Sequence, residues 1–240
     1  MTELVEIAHI RSDFSEKFGI PRQSGLIDTR AEIFFEDGFR DRNAVLGLQE
    51  FSHIWLLWGF SKNKGRGWSP MVYPPRLGGK THIGVFATRS PFRPNPIGLS
   101  SVKLLGIEYR EGLGPVLSVA GADLLDGTPI YDIKPYIAYT DSHPDAVSGF
   151  ADRVKDKALL VKFPENLLRI LPAEKREDAV RILEMDPRPA YQDDPERRYG
   201  TAFAGFDIRF HVQGSVLTVC EVVPYTGIKR DTRKREKQGF

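Results

Sequence analysis

The chain is poor in the features that mark several classes of protein. Among its 240 residues there is one cysteine, Cys220, which excludes an internal disulfide and is typical of a reducing compartment. The most apolar stretch, residues 54–60, is far too short to span a bilayer. The first residues carry acids where a signal peptide would have its apolar run. We therefore expect a soluble cytoplasmic protein with no membrane partner.

Motifs for metal and nucleotide binding are also missing. The five histidines lack HxH or HExxH spacing and the single cysteine cannot form CxxC, so we expect no metal site. There is no GxSxG motif, no Walker loop and no GxGxxG motif that opens a helix after a strand. The formal net charge is only +2, so any contact with nucleic acid must come from local patches.

What the chain does contain, in its first 140 residues, is a series of short β-type segments. Dense turn residues such as Gly78-Gly79 and Asp126-Gly127 separate them, and only Arg42–Gln49 has a helical pattern there. Strands at this spacing predict a mainly β protein, a closed barrel or a sandwich. The predicted strands are Val5–Ile10, Ala31–Phe35, His53–Phe60, His82–Ala87, Leu99–Ile107, Val116–Ala120 and Ile130–Ile133.

The pattern changes after Pro144. Pro164–Leu171 and Ala173–Met185 have apolar residues at helical spacing, and Thr201–Val212 and Val216–Val223 read as two strands joined at Gln213-Gly214. We therefore predict a β domain over residues 1–145, an α+β appendage over residues 146–224, and a basic, disordered tail over residues 225–240.

Three polar clusters are candidates for binding. The first is the loop at residues 17–23, the second spans residues 88–96, and the third runs from residue 123 to residue 136. Proline fixes its own φ and biases the preceding residue toward extended geometry, so Arg93 and Asn95 project from a stiffened backbone. Each cluster alone is more often an ordinary turn; three of them in one β domain favour a site.

Six motifs in order along the chain resemble the TrmO family closely. They are PRQ at 21–23, FSHIW at 51–55, PPRLGG at 74–79, GVFATRSPFRPNPIG at 84–98, DLLDGTPIYDIKPY at 123–136 and DPRPAY at 186–191. The resemblance implies an S-adenosylmethionine-dependent methyltransferase built on a small closed β-barrel and assembled as a homodimer. Its implied substrate is N6 of threonylcarbamoyladenosine at position 37, in the anticodon loop of tRNA.

The resemblance also implies a set of residues that contact S-adenosylmethionine. Ser61-Lys62 stands where better-known members have His-Gln, which puts the contacts at that pair in question. The implied residues are Pro21, Arg22, Gln23, Ser61, Lys62, Arg89, Leu99, Gly121, Ala122, Asp123 and Leu124.

Methyl transfer to this nitrogen needs positioning and a proton acceptor. In the carbamoylated base, N6 is a urea nitrogen, a weak nucleophile with a relatively acidic N–H, so a nearby carboxylate or neutral lysine is useful. Asp126, Asp132 and Lys134 are the local candidates, and the spacing does not decide among them. We assign Asp126 and Lys134 as catalytic candidates and Arg93, Asn95 and Tyr136 as substrate contacts.

Two other functions stay open from the residues alone. A cofactor-binding barrel could methylate another RNA or a small metabolite, or the chain could be a non-catalytic RNA-binding module. Measured methyl transfer separates the enzymes from the binding module, and the choice of acceptor separates the two enzymes.

Overall fold

A computed structural model describes residues 4–63, 67–74, 77, 81–154, 158–188 and 194–227. Most of the basic tail and parts of the PPRLGG and DPRPAY motifs therefore lie outside the described residues. Tyr225, which the sequence analysis places in the tail, donates its N–H to the Gly205 carbonyl.

Six strands close into a barrel in the order β1-β2-β7-β6-β3-β8, and every neighbouring pair in it is antiparallel. The predicted class, a mainly β chain with a small closed barrel, is confirmed. The strands in this half, including the small β4–β5 hairpin, are β1 (Ala8–Arg11), β2 (Arg30–Phe35), β3 (His53–Gly59), β4 (Met71–Val72), β5 (Ile83–Gly84), β6 (Ile97–Arg110), β7 (Gly114–Ala120) and β8 (Pro129–Pro135).

Alternation along the strands fills the barrel. On β3, Ile54, Leu56 and Trp58 are buried inward, while the residues between them are more exposed, as expected for a strand with one face on a core. Apolar side chains of the other barrel strands join the same cluster, so the interior is packed with side chains and forms no channel.

Four further strands form a second sheet in the order β10-β11-β12-β9. One face packs on the amphipathic helix α3, which contributes Ala179, Ile182 and Leu183 to a second core. The elements after β8 are α1 (Ala138–Asp141), β9 (Leu160–Lys162), α2 (Glu165–Leu168), α3 (Arg176–Glu184), β10 (Tyr199–Phe203), β11 (Phe206–Gln213) and β12 (Val216–Pro224).

Two of the local predictions are wrong, and one strand was missed. Arg42–Gln49 is not one helix but belongs to two short 3-10 turns, separated by Gly47 with its φ of 85°. The predicted strand Thr201–Val212 is a hairpin instead, because Ala204 and Gly205 both have positive φ and reverse the chain. Strand β9, which pairs in parallel with β12, was not predicted from the sequence.

The two cores meet at the loop between β1 and β2. We call residues 12–29 the linking loop. Although it connects two barrel strands, its Phe14 and Ile27 are buried in the core of the second sheet. Phe14 packs on Phe203 with ring centroids 5.7 Å apart. A stretch of barrel sequence is thus held by the second sheet, and we propose the division near residue 145 with that exception.

None of the helices in the described part of the chain is long and apolar enough to cross a membrane. The described residues also bring together no group of three or more His, Cys, Asp or Glu side chains that could hold a metal ion.

Candidate functional site

Three segments far apart in sequence converge at one edge of the barrel. We call residues 21–25, residue 89 and residues 121–124 the cofactor edge. Gly25 N donates to the Gly121 carbonyl at 2.9 Å, and Gly121 N donates to the Thr29 carbonyl at 3.1 Å. A Cβ on Gly121 would lie 3.3 Å from Gly25 Cα, and its φ of 82° also favours glycine. The close backbone approach therefore needs glycine at position 121.

Side chains of all three segments meet there. The Arg89 guanidinium donates from Nη1 to Gln23 Oε1, and its charge acts on the Asp123 carboxyl. The backbone N–H of Ser24 also donates to Asp123. The structure thus brings Gln23, Arg89 and Asp123 of the predicted cofactor set into one cluster.

Asp123 is held from the inside of the barrel by a chain of two hydrogen bonds. The indole Nε1 of Trp58 donates to Ser100 Oγ at 2.9 Å, and Ser100 Oγ donates to Asp123 Oδ1 at 2.5 Å. Burial raises the pKa of the Asp123 carboxyl, while the Ser100 hydrogen bond and the Arg89 charge act in the opposite direction. The result is a partly desolvated carboxyl in a fixed orientation.

A glycine makes room for the Trp58 ring. Gly98 on β6 lies opposite Trp58 on β3, and a Cβ there would lie 2.2 Å from the indole. The glycine of the NPIG motif therefore seats the tryptophan that begins the hydrogen-bond chain. Sequence analysis did not single out Trp58 or Ser100; the available signal was a tryptophan at an inward position of a strand.

Side chains of residues 122–124 alternate between the barrel core and the cofactor edge. Ala122 and Leu124 are 1% and 0% exposed and belong to the barrel core, so they can present only backbone atoms to a ligand. The Asp123 side chain lies at the cluster described above. A cofactor contact at Ala122 or Leu124 would thus come from the main chain.

Ser61 and Lys62 lie in a 3-10 turn directly after β3. Just before that turn, Phe60 N donates to the Pro96 carbonyl at 3.1 Å, which ties the end of β3 to the NPIG motif. Leu99, on β6 opposite Leu57, is 53% exposed and points away from the buried Ser100. Ser61 and Lys62 thus follow the strand that carries Trp58, and Leu99 is the neighbour of Ser100 on β6.

Asp126 lies apart from the cofactor edge contacts. Its Oδ1 accepts the Ser12 N–H at 3.0 Å and its own N–H donates to the Phe14 carbonyl, where β1 leaves the barrel. The residue is exposed. Within the described contacts it does not touch Arg89, Gln23 or Asp123.

Lys134 and Tyr136 lie at the end of β8. Lys134 Nζ is 2.8 Å from Asp132 Oδ2, on the outer face of the strand. The Tyr136 ring lies 5.5 Å from that of Trp55, and Trp55 Nε1 donates to Asp141 Oδ2 at 3.0 Å. The Ile137 N–H and, to a smaller extent, this indole hydrogen bond lower the pKa of Asp141 below its ordinary value.

Arg93 and Asn95 lie on the stiff loop before β6. Arg93 Nη1 donates to the Thr88 carbonyl at 3.0 Å, so part of this guanidinium folds the loop on itself. Asn95 is exposed, and its carbonyl accepts the Ile97 N–H at 2.8 Å. Both residues follow Arg89 on one loop but contact different partners from it.

Arg22 and Pro21 connect the cofactor edge to the second sheet. Arg22 Nη2 donates to the Asp186 carbonyl at 3.0 Å, just after α3, and Pro21 is buried. Close by, Thr201 Oγ1 donates to the Phe18 carbonyl at 2.9 Å, and a Cβ on Gly19 would lie 2.0 Å from that hydroxyl. Asp186 and Thr201 were missed because their partners are more than 160 residues away in sequence.

Comparison with known proteins assigns both halves of the chain. Residues 9–142 match the family model of the tRNA-methyltransferase O N-terminal domain, and residues 157–225 match that of the TrmO C-terminal domain. The chain also resembles a solved structure titled TrmO from Pseudomonas aeruginosa. The TM-score is 0.74 at 35% identity, over 94% of this chain and 98% of that one.

Relatives give the same assignment. The tRNA (adenine(37)-N6)-methyltransferase of Escherichia coli is 38% identical over 91% of this chain and 97% of its own length. A Pseudomonas aeruginosa protein, with S-adenosylmethionine-dependent methyltransferase in its name, is 41% identical over 85% of this chain and 90% of its own. The predicted family and the predicted tRNA methyltransferase activity are thereby confirmed, and the chain belongs to the TrmO family.

Proposed function

We propose that this protein transfers the methyl group of S-adenosylmethionine to N6 of threonylcarbamoyladenosine at position 37 of tRNA. The observation that carries the proposal is the convergence of residues 21–25, 89 and 121–124 at one edge of a closed barrel. The relatives' names support the adenine N6 acceptor, and the threonylcarbamoyl group is the finer part of the proposal.

The groups at the cofactor edge fit S-adenosylmethionine. When bound, that molecule supplies a methyl group on a positively charged sulfur, together with an amino-acid end and a ribose. The Arg89 guanidinium suits a carboxylate, and the Asp123 carboxyl suits an ammonium or ribose hydroxyls. Backbone groups of Pro21 and Gln23 complete the cradle, as backbone contacts do in many cofactor sites, and Gly121, whose N–H already donates to Thr29, contributes through its carbonyl.

Such a ligand would stabilise the carboxylate form of Asp123. Its carboxyl is partly desolvated, so a cationic or hydroxyl donor on its open side would stabilise the ionised form. Ser100 and Trp58 fix the orientation of the carboxyl before anything binds, which lowers the entropy that binding costs.

On the acceptor side we propose Asp126 as the group that takes the N6 proton. Ser12 holds Oδ1 in place, and within the described residues Oδ2 has no hydrogen-bond donor. Lys134 Nζ lies 2.8 Å from Asp132 Oδ2, and we propose that it binds the threonyl carboxylate. Arg93 is the second cation proposed for that carboxylate.

Tyr136 and Asn95 are proposed to contact the nucleotide. The ring of Tyr136 lies beside Trp55 on the outer face of the barrel, and aromatic rings of this kind stack on unpaired bases in RNA loops. Asn95 is exposed on the stiff loop and carries both a donor and an acceptor for a base edge.

We also propose a cytoplasmic homodimer. The outer face of β3 and β6 carries the neighbours Leu57 and Leu99 with Ile97 beside them, and Leu99 and Ile97 are 53% and 36% exposed. Apolar side chains grouped on an outer face mark interaction surfaces. Light scattering on the purified wild type and on Leu99→Glu, which should disrupt the dimer, tests this proposal. A wild type that is monomeric in solution would rule out the proposed homodimer.

The test of the function is methyl transfer from labelled S-adenosylmethionine to tRNA transcripts with and without threonylcarbamoyl at position 37. We expect label only in the modified tRNA. Equal labelling of both transcripts would make adenosine itself the acceptor. Asp126→Asn should lower the single-turnover rate at saturating cofactor, and wild-type turnover in this variant would eliminate Asp126 as the proton acceptor.

A further inference from the structure

A pocket lies on the flank of the barrel, outside the cofactor edge, and of its lining residues only Ser12, which holds Asp126, has a role in the function described so far. It lies between β1, β2, β6 and β7, with a volume of about 670 Å³. We call it the flank pocket; Arg11, Ser12, Arg30, Glu32, Leu105 and Ser118 are among the residues that line it.

The acids that line this pocket are already neutralised. Glu32 accepts two hydrogen bonds from the Arg110 guanidinium, and Asp13 is paired with Lys175 of the second sheet's unit. Two lining arginines, Arg11 and Arg30, remain. Arg110 also pairs with Glu108, so the pocket and the groups paired with it carry four positive charges against three negative ones, an excess that attracts anions.

Arg30 has a second cation beside it. Arg30 on β2 and Lys103 on β6 both pair with Ala120 of β7, one from each side. Directly paired residues point to the same face of a sheet, so the two exposed side chains lie on the outer surface about 10 Å apart, two strand spacings. Within the described residues neither side chain has a hydrogen-bond or ion-pair partner.

Arg11 is held in place by an aromatic ring. Its guanidinium lies 4.4 Å from the centroid of the Phe34 ring. Stacking uses the face of the guanidinium and leaves the N–H edge for other acceptors. The pocket therefore combines the ordered Arg11 with the unpaired Arg30 and the Ser118 hydroxyl, and Lys103 lies next to it on β6.

Its position links the flank pocket to the cofactor edge. Ala120, between Arg30 and Lys103, is the residue immediately before Gly121, where the predicted cofactor segment begins. An RNA nucleotide held against that segment would have phosphates of neighbouring nucleotides within reach of both cations.

We propose that the flank pocket, with Lys103, binds the phosphodiester backbone of the RNA strand beside the nucleotide that is methylated. The proposal rests on the proposed function, because it takes the RNA to be the methyl acceptor. It assigns Arg30 and Lys103 to phosphate neutralisation, with Arg11 as the ordered donor. Phosphate contacts of this kind set affinity and register without reading sequence.

The experiment compares tRNA binding by the full-length protein and its variants over a range of salt concentrations. Each cation that neutralises a phosphate contributes about 0.7–0.9 to the slope of log K against log salt. The double variant Arg30→Ala with Lys103→Ala should lower that slope by about 1.5 and weaken binding roughly 20- to 60-fold near 0.1 M salt. The double change to Arg30→Lys and Lys103→Arg, which keeps both charges, should restore most of the slope.

Arg42→Ala is the matched control. Arg42 also stacks on an aromatic ring of the barrel, Tyr109, at 4.5 Å. Tyr109 lies six residues along β6 from Lys103, about 20 Å away. Removing this cation should leave the salt slope and the tRNA affinity unchanged.

The outcomes separate this proposal from the proposed function. If the wild type methylates tRNA but the double variant binds tRNA like Arg42→Ala, the flank pocket is not a phosphate site and the function stands. If the double variant loses salt-dependent binding while the wild type transfers no methyl group, the phosphate site stands and the proposed reaction fails. A wild type that binds no tRNA overturns the flank-pocket proposal as well.

Discussion

The barrel and the second sheet differ in where they carry polar groups. The barrel is closed, and its interior carries a polar chain, Trp58 to Ser100 to Asp123, that ends at the cofactor edge. The second sheet has one face on an apolar core, and it supplies no residue of the predicted cofactor set. We propose from this difference that the barrel carries the reactive groups and that the second sheet holds some of them in place.

The linking loop contacts both the barrel and the second sheet. It belongs to the barrel by sequence, yet Phe14 is in the second core, Asp13 pairs with Lys175, and Arg22 reaches the Asp186 carbonyl. Residues 21–23 of the predicted cofactor set follow directly in this loop. We therefore propose that the second sheet influences the reaction through the loop.

The largest expected effect comes from removing the buried ring of the loop. Phe14→Ala should lower the free energy of unfolding by about 3–5 kcal/mol, because Phe14 is 1% exposed in a packed core. It should also raise KM for S-adenosylmethionine, since the loop loses its anchor. Urea unfolding and initial rates measure both quantities.

Leu56→Ala is the counterpart in the barrel core, with about 2–5 kcal/mol expected and no release of the loop. If both variants change KM equally, the second sheet does not specifically position the loop for S-adenosylmethionine binding.

A smaller loss is expected at the seat of Trp58. Gly98→Ala places a Cβ against the indole, and overpacking of this kind costs about 1–3 kcal/mol. The displaced indole should also weaken cofactor binding through Ser100 and Asp123, which calorimetry can measure.

Gly106→Ala provides the control on the same strand, because a Cβ there meets nothing within 4 Å. Equal behaviour of the two variants would show that the Trp58 seat has no effect on the cofactor edge.

A third change tests the loop contact itself. Thr201→Val removes the donor to the Phe18 carbonyl and should cost about 1 kcal/mol. Since that contact lies beside residues 21–23, we expect KM for S-adenosylmethionine to rise up to about fivefold with kcat unchanged. Steady-state kinetics at saturating tRNA measure both constants.

Thr201→Ser keeps the hydroxyl and should restore KM. A fall in kcat with KM unchanged would place Thr201 outside the positioning of the loop.

The smallest effect concerns pH. Burial raises the pKa of Asp123 in the barrel and of Asp178 on α3. A folded-state pKa above the unfolded value makes each group favour the folded state less as the pH rises from about 4 through the raised pKa. Asp123→Asn and Asp178→Asn should each flatten this fall in the free energy of unfolding, measured by urea titration at successive pH values.

For Asp141 the dependence of the free energy of unfolding on pH has the opposite sign, and Asp141→Asn should remove it. Hydrogen bonds lower the pKa of Asp141, so its contribution to stability is lost as the pH falls below about 4. A fall with rising pH that persists in both Asp123→Asn and Asp178→Asn would contradict the assignment to these two acids.

Much of the barrel could be predicted because its strands carry strong local signals. Alternation on His53–Gly59 and turn residues such as Asp126-Gly127 are read within a few positions. The family was identified from the long motif at residues 84–98, because patterns of strand and turn residues indicate a fold class and not a family.

What could not be predicted depends on distant partners. Ala204 adopts a positive φ that is rare outside glycine, so the β10–β11 turn left little trace in the sequence. Strand β9 is three residues long and, within the described part of the chain, pairs only with β12. The Arg22 contact with Asp186 spans 164 positions, and no spacing rule reaches that far.

The seat of Trp58 also gives the protein an optical probe of its own. Of the three tryptophans, Trp58 is 8% exposed and lies one hydroxyl away from Asp123, whereas Trp68 is 54% exposed. Indole emission depends on the polarity and hydrogen bonding around the ring. A change in charge at Asp123 would act on that indole through Ser100, so we expect binding at the cofactor edge to change the fluorescence of Trp58 without any attached dye.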